Sequence, residues 1–191
     1  MKEGATMEIR YFEPEDAKRV LSWITSEREF RMWSADQYGD YPIRPEDIVE
    51  NYKNKIKNEE FYPLIFEEKG RVIGHLILRY NTSDKKNVRL GFIIVDNKKR
   101  NKGKGTQMIY SAMRYAANNL GAIRFNLGVF TNNDKARKCY ERIGFKPTKL
   151  KKQMLKFHDE EWDWVEMLYD PTDEIINCVN KHISKIIEDL S

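Results

Sequence analysis

Val88 to Met108 reads VRLGFIIVDNKKRNKGKGTQM. Its run Phe92-Ile93-Ile94-Val95 is apolar and mostly β-branched, which predicts a buried strand. A polar, basic loop follows, with glycines at 103 and 105. From Thr106 onward, Met108, Ile109, Ala112, Met113 and Ala116 recur at helical spacing. A strand that empties through a glycine-containing loop into a helix start makes an anion site. The first N–H groups of the helix are unpaired there and carry partial positive charge. Glycine lets a ligand approach the backbone closely, and Arg100, Lys102 and Lys104 add charge.

The spacing excludes two other phosphate loops. Rossmann binders need G-x-G-x-x-G and P-loops need G-x-x-x-x-G-K-[ST]; neither fits. What stands here is Arg100-x-x-Gly103-x-Gly105. It resembles the R/Q-x-x-G-x-G/A signature with which the GNAT N-acetyltransferases bind the diphosphate of acetyl-CoA.

The chain's 191 residues suffice for one domain with a substantial core. With 34% charged and 40% apolar residues, a globular fold is favoured over disorder. No apolar run approaches a membrane span, and MKEGATMEIR lacks the apolar centre of a signal peptide, so no membrane partner is expected and the expected compartment is the cytoplasm. Cys139 and Cys178 lie amid helix-like sequence and the three histidines are far apart, so neither a disulfide nor a metal site is expected. The net charge of +4 is too small an excess to imply nucleic acid. The basic clusters at 98–104 and 146–152 would suit a CoA phosphate or an RNA backbone, and are otherwise solvated surface.

In chain order, Met7 is expected to begin the folded part after a flexible leader. Glu8–Phe12 reads as a short strand. Pro14 opens a helix with Glu15 and Asp16 in its first turn and Ala17, Val20, Leu21 and Ile24 on one face. Phe30–Pro42 reads as an irregular, aromatic-rich segment holding Trp33, Tyr38 and Tyr41, and Pro45 starts a second helix through Lys57. Phe61–Phe66 and Val72–Tyr80 predict a hairpin around Glu67–Arg71. After the central helix, stopped by Gly121, come a strand at Ile123–Val129, a short helix at Asn133–Arg142, and an antiparallel pair at Lys149–Phe157 and Glu161–Tyr169. Pro171-Thr172-Asp173 then launches an amphipathic helix striped with Ile175, Ile176, Val179, Ile183, Ile186, Ile187 and Leu190. It is expected to dock on the domain or at a homodimer contact, because its polar face mixes both signs of charge. The expected class is a mixed α/β domain with a largely antiparallel sheet flanked by helices. Residues 7–170 form the domain and residues 171–191 the added helix.

A second motif, Asn133-x-x-Ala136-x-x-x-Tyr140-x-x-x-Gly144-Phe145, lies farther along. Ala136 and Tyr140 are four apart and share a helix face. This is similar to the N-x-x-A-x-x-x-Y-x-x-x-G-F pattern of the same acetyltransferases, at the expected distance from the first motif. The resemblance runs from Met7 to Tyr169. It is nearest the branch that contains ribosomal-protein N-terminal, spermidine and some aminoglycoside acetyltransferases.

The resemblance implies a splayed sheet into which the pantetheine arm of acetyl-CoA inserts. It assigns Ile93, Ile94 and Val95 to backbone pairing with that arm. The N–H groups of Arg100, Asn101, Lys102, Gly103, Lys104, Gly105 and Thr106 are assigned to the diphosphate, Asn133 to the cofactor arm, and Tyr140 to the thioester sulfur as general acid. Acetyl transfer to a primary amine also needs a base, since most such amines are protonated at neutral pH. It needs a donor to the thioester carbonyl, expected from the backbone near Ile94 or Val95. Many relatives carry a glutamate early in the fourth strand; Arg89 stands there instead, leaving Asp36, Asp40, His75 or a water relay as bases. Trp33, Asp36 and Tyr38, with Tyr41 and Asp40, are expected to cradle the amine, either a small polyamine or aminoglycoside-like molecule or a protein N-terminus. Two other readings stand beside this one: a non-catalytic acyl-CoA-binding sensor, motivated by Arg89, and an RNA or ribosome contact through the basic clusters.

Overall fold

The computed structural model describes residues 7–80 and 83–171. The expected leader ahead of Met7 and the helix expected after Pro171, with Cys178, lie outside the described residues. Seven strands make one sheet: β1 (Glu8–Tyr11), β2 (Phe61–Glu68), β3 (Arg71–Arg79), β4 (Asn87–Val95), β5 (Arg124–Phe130), β6 (Lys146–Phe157) and β7 (Glu160–Tyr169). Their order is β1-β2-β3-β4-β5-β7-β6. Every neighbouring pair is antiparallel except β4 and β5. Those two are joined by α4 (Lys104–Leu120), and parallel neighbours require such a crossover.

Both faces of the sheet are covered. Helices α4 and α5 (Asp134–Ile143) pack Met108, Ala112, Tyr140 and Ile143 against Leu76, Leu78, Leu90 and Leu127. On the other face α1 (Asp16–Leu21), α2 (Glu27–Ser34) and α3 (Pro45–Asn58) pack Ala17, Val20, Phe30 and Ile48 against Ile65, Ile77 and Ile94. A sheet buried on both sides explains why β2 and β3 read as near-continuous apolar runs.

Two expectations about the N-terminal helices need correction. Helix α1 starts at Asp16 rather than Pro14, and its first carboxylate is taken by Arg10 at 2.6 and 2.8 Å and by the Glu13 N–H at 2.8 Å. Part of the segment read as irregular is helical: α2 begins at Glu27, capped by Ser26, whose hydroxyl accepts the Glu29 N–H at 3.2 Å. The Glu29 carboxylate reaches back to the N–H and hydroxyl of Thr25, each at 2.8 Å. The sequence signal was Ser26-x-x-Glu29, a capping pair outweighed by the aromatic crowding that follows. Helix α3 opens at Pro45 as expected, with Asp47 accepting the Arg44 N–H at 2.7 Å.

The feature that positions the site is a bulge in β4. Ile77 pairs with Gly91 and His75 with Ile94, so β4 holds one residue more than β3 over that interval. Phe92 absorbs it with φ 48°, a left-handed conformation that is costly for a bulky side chain. Beyond the bulge the strand's faces are exchanged. Ile93 and Val95 turn to the α4 side, and Ile94 turns to the α1–α2 side.

Candidate active site

β4 and β5 pair only through Asn87–Arg124, Val88–Phe125 and Arg89–Asn126, and then separate. The rest of β4 therefore presents one unpaired edge to a cleft. The Asp96 N–H bonds to Ile73 O on β3 at 2.9 Å, so strand alternation sends the backbone of Ile94 toward β3 as well. Ile93 and Val95 are left facing the cleft. Of the two positions expected to polarise a carbonyl, Val95 has its N–H on the open side and Ile94 does not.

One cavity of about 440 Å³ runs from this edge to the loop before α4, lined by Ile93, Val95, Asn101, Gly103, Gly105 and Thr106 among others. Gly103 has φ 72°, where a side chain would be strained, and its carbonyl receives the first backbone bond of the helix, from Gln107 N–H at 3.0 Å. The N–H groups of Lys104, Gly105 and Thr106 precede that bond and are left over at the positive end of α4. A Cβ on Gly105 would lie 3.9 Å from Cys139 Sγ and 4.0 Å from Val95 Cγ2, both cavity-lining residues. An extended chain ending in a diphosphate fits this sequence of groups.

The loop's cations are used differently from the expectation. Arg100 turns inward: Nε donates to Val95 O at 3.0 Å, Nη1 to Glu29 at 3.0 Å and Nη2 to Trp23 O at 3.1 Å. It straps the loop to α2 and to the end of β4. Lys104 and Lys99 both pair with Glu68, at 2.6 and 3.0 Å, and hold its carboxyl down at about 2. Lys102 donates to Lys98 O at 3.1 Å.

A second cavity, of about 400 Å³, adjoins the first, and Trp33, Ile93, Asn133, Ala136 and Tyr140 line both. Asn133 caps α5, its Oδ1 accepting the Ala136 N–H at 3.4 Å. The Tyr140 ring is buried against Phe145, and its hydroxyl has no hydrogen-bond partner among the described residues. Burial, with a smaller contribution from Cys139, raises this hydroxyl's pKa well above the usual tyrosine value, so it keeps its proton at neutral pH.

The second cavity is bounded by α2, β4, β5 and the β6–β7 pair. Trp33 donates Nε1–H to Phe92 O at 2.8 Å, which ties α2 to the bulge. Asp36 lies at the rim and is exposed. Trp164 lies over Gly128, where any Cβ would collide with its indole. Arg89 and Lys151 stand 5.2 and 5.0 Å from the Trp164 ring centre.

Glu166, on β7, was not anticipated. It meets Arg89 at 3.1 Å within the cavity, and Arg89 also donates to Asn126 Oδ1 at 2.8 Å. Thus a carboxylate does face the start of β4, but from the far side of the splay. Only the β5–β7 register, Gly128 opposite Glu166, brings it there.

Three candidates lie elsewhere. Tyr38 stacks behind Trp33, ring centres 6.0 Å apart and 6° from parallel, and Asp40 is exposed outside the cavity. His75 is fully buried: its Nδ1–H donates to Leu64 O at 3.0 Å, so Nε2 accepts the Tyr52 hydroxyl at 2.8 Å. Burial lowers its pKa to about 4, opposed in part by the Leu64 bond. Among the described residues, no group of three or more His, Cys, Asp or Glu could hold a metal, and no helix is long and apolar enough to cross a membrane.

The family model described as Acetyltransferase (GNAT) family matches residues 22–145. Among solved structures, the chain is similar to spermidine N-acetyltransferase from Vibrio cholerae in complex with CoA and spermine, at 18% identity and TM-score 0.73, over 87% of this chain and 96% of that one. It is also similar, at 23% identity and TM-score 0.69, to a protein provisionally described as a phosphinothricin N-acetyltransferase, over 86% of this chain and 98% of that one. At these identities the likeness speaks for the fold.

Proposed function

This chain belongs to the acetyltransferase (GNAT) family, and we propose that it moves the acetyl group of acetyl-CoA to a primary amine by direct attack while both are bound. The observation that carries the proposal is the meeting of two cavities at Tyr140 and Ile93, where the sheet opens. One accepts a long donor with a phosphate end; the other is open to an acceptor.

Acetyl-CoA supplies the activated acetyl group as a thioester. The open edge of β4 at Ile93 would pair with its arm, the Val95 carbonyl being taken by Arg100, while the N–H groups from Lys104 to Thr106 would hold the diphosphate and the Asn133 amide would contact the arm. The Val95 N–H, on the open side of the strand, would face the thioester oxygen and stabilise charge developing there. Tyr140, kept protonated by burial, gives its proton to the departing thiolate. The proton on the incoming amine leaves to Glu166, directly or through water. Trp33 and Asp36 border the path of the amine, and Tyr38 holds Trp33 in place from behind.

The test combines thermal-shift titration with acetyl-CoA and thiol release over a panel of amines, for wild type and Tyr140→Phe. A saturable shift is expected in both proteins, because ligand binding to the native state raises its stability. Thiol release is expected to fall by about 10²-fold in the variant. A wild-type protein that binds acetyl-CoA yet releases no thiol with any amine is a sensor rather than an enzyme. One that shows no shift at saturating acetyl-CoA refutes the whole reading.

A further inference from the structure

The charges that line the acceptor cavity are Lys55, Arg79, Arg89 and Lys151 against Asp36 and Glu166. Two of these cations are already satisfied: Lys55 pairs with Glu59 at 3.2 Å and Arg89 with Glu166 at 3.1 Å. Arg79 has no hydrogen bond or ion pair among the described residues, although it is half-buried. Lys151 stands over the Trp164 ring and has no ion pair among the described residues. Arg79 also stands directly opposite Arg89 in the β3–β4 register. Like charges facing each other across strands destabilise a sheet, and Glu166 answers only Arg89, so Arg79 is left without an anion among the described residues. Burial and the charge of Arg79 pull the Arg89 guanidinium below its usual value, and Glu166 only partly offsets them.

The register orders these groups along the cavity. Arg79, Arg89 and Asn126 lie level with one another at the closed end, where β4 still pairs with β5. Glu166 sits opposite Gly128, two residues nearer the opening. Two residues of strand span roughly 7 Å. Beyond Glu166 come Tyr140 and the donor cavity. An acceptor entering this cavity thus meets a carboxylate near the reacting end and, on the strand position level with Arg89 and two residues farther from the opening, Arg79, whose guanidinium has no partner among the described residues.

We propose that the acceptor is a primary amine that also carries an oxyanion group, a carboxylate, phosphonate or phosphate, several bonds from the amine, with Arg79 as its principal anchor and Lys151 as a second. This rests on the N-acetyltransferase reading above and sharpens its substrate class. A polycation such as spermidine brings further positive charge against Arg79 and is disfavoured. A guanidinium anchors oxyanions bidentately, so charge and shape both select for such a group.

The experiment measures thiol release from acetyl-CoA with 2-aminoethylphosphonate, L-glutamate, spermidine and putrescine, for wild type, Arg79→Gln, Arg79→Glu and Lys151→Gln. At least one anionic amine is expected to show a kcat/KM about tenfold or more above either polyamine. Arg79→Gln should raise its KM about tenfold with little change in kcat, and Arg79→Glu should shift preference toward polyamines. An acetyl-CoA thermal shift certifies that each variant is folded; if Arg79 variants fail it, exposed Lys151 carries the test through its own rise in KM. Preference of the wild type for polyamines overturns the proposal while leaving acetyl transfer intact. So does an unchanged KM in the folded variants, or acetyl-CoA binding with no turnover of either class. Absence of acetyl-CoA binding removes the acetyltransferase reading and this proposal with it.

Discussion

Arg89 and Glu166 meet at 3.1 Å where β4 parts from β5, one side chain from each side of the opening. In the proposed reaction the pair puts a carboxylate where the attacking amine would lose its proton. Glu166→Gln keeps the size of the side chain and removes the charge. We expect kcat to fall by about 10²-fold, the usual scale for losing a general base, with acetyl-CoA affinity unchanged. Steady-state kinetics with either substrate varied will check this; an unaltered kcat would exclude Glu166 from proton removal.

Gly128 and Trp164 are a second coupled pair. A Cβ at 128 has no room beneath the indole, so Gly128→Ala must push Trp164 aside or bend β5. Overpacking of this kind costs about 1–3 kcal/mol. Urea unfolding should register that loss. Acceptor KM should rise as well, since Trp164 bears on both Arg89 and Lys151, while acetyl-CoA binding is retained.

Arg100 lies in the phosphate-loop motif but spends its guanidinium on Val95 O, Glu29 and Trp23 O. Its role is to shape the loop. Arg100→Ala is expected to weaken acetyl-CoA binding by about tenfold or more through lost preorganisation. Arg100→Lys should not rescue it, because one ammonium cannot replace three directed bonds. Calorimetric titration of both variants decides the matter: full rescue by lysine would mean that charge alone is needed.

His75 makes stability depend on pH. Its value is about 4 in the fold against 6.5 for the free side chain, chiefly through burial. Between those values the unfolded chain binds more protons than the folded one, so stability rises with pH there. The neutral ring costs nothing above about pH 6.5. The penalty accumulates as pH falls, reaching roughly 3 kcal/mol once pH is below 4. Urea unfolding of wild type and His75→Gln at pH 7.5, 6 and 5 should show a smaller slope in the variant, in which no ring titrates.

The strands and the two motif helices, α4 and α5, were legible because each carries a local pattern: apolar runs in Phe61–Phe66, helical spacing from Met108 to Ala116, and a cap at Asn133. Helix α2 was missed although Ser26 and Glu29 announced it, because crowded aromatics hide helical period in so short a segment. On the site, the sequence pointed to the loop glycines, Asn133 and Tyr140, which all border the donor cavity. It also named Tyr38, Asp40 and His75, none of which lines the acceptor cavity.

What the sequence determined by itself was therefore the family's sheet, its helices other than α2, and the residues that stay within one strand–loop–helix unit. Short-range patterns and turn chemistry suffice for those. The bulge at Phe92, the inward turn of Arg100, the arrival of Glu166 beside Arg89, and Arg79 opposite Arg89 with no partner among the described residues were settled only by tertiary structure. Each depends on which strand lies beside which and in what register. Arg89 and Glu166 are far apart in the chain, and no local pattern carries the alignment of β5 with β7 that brings them together.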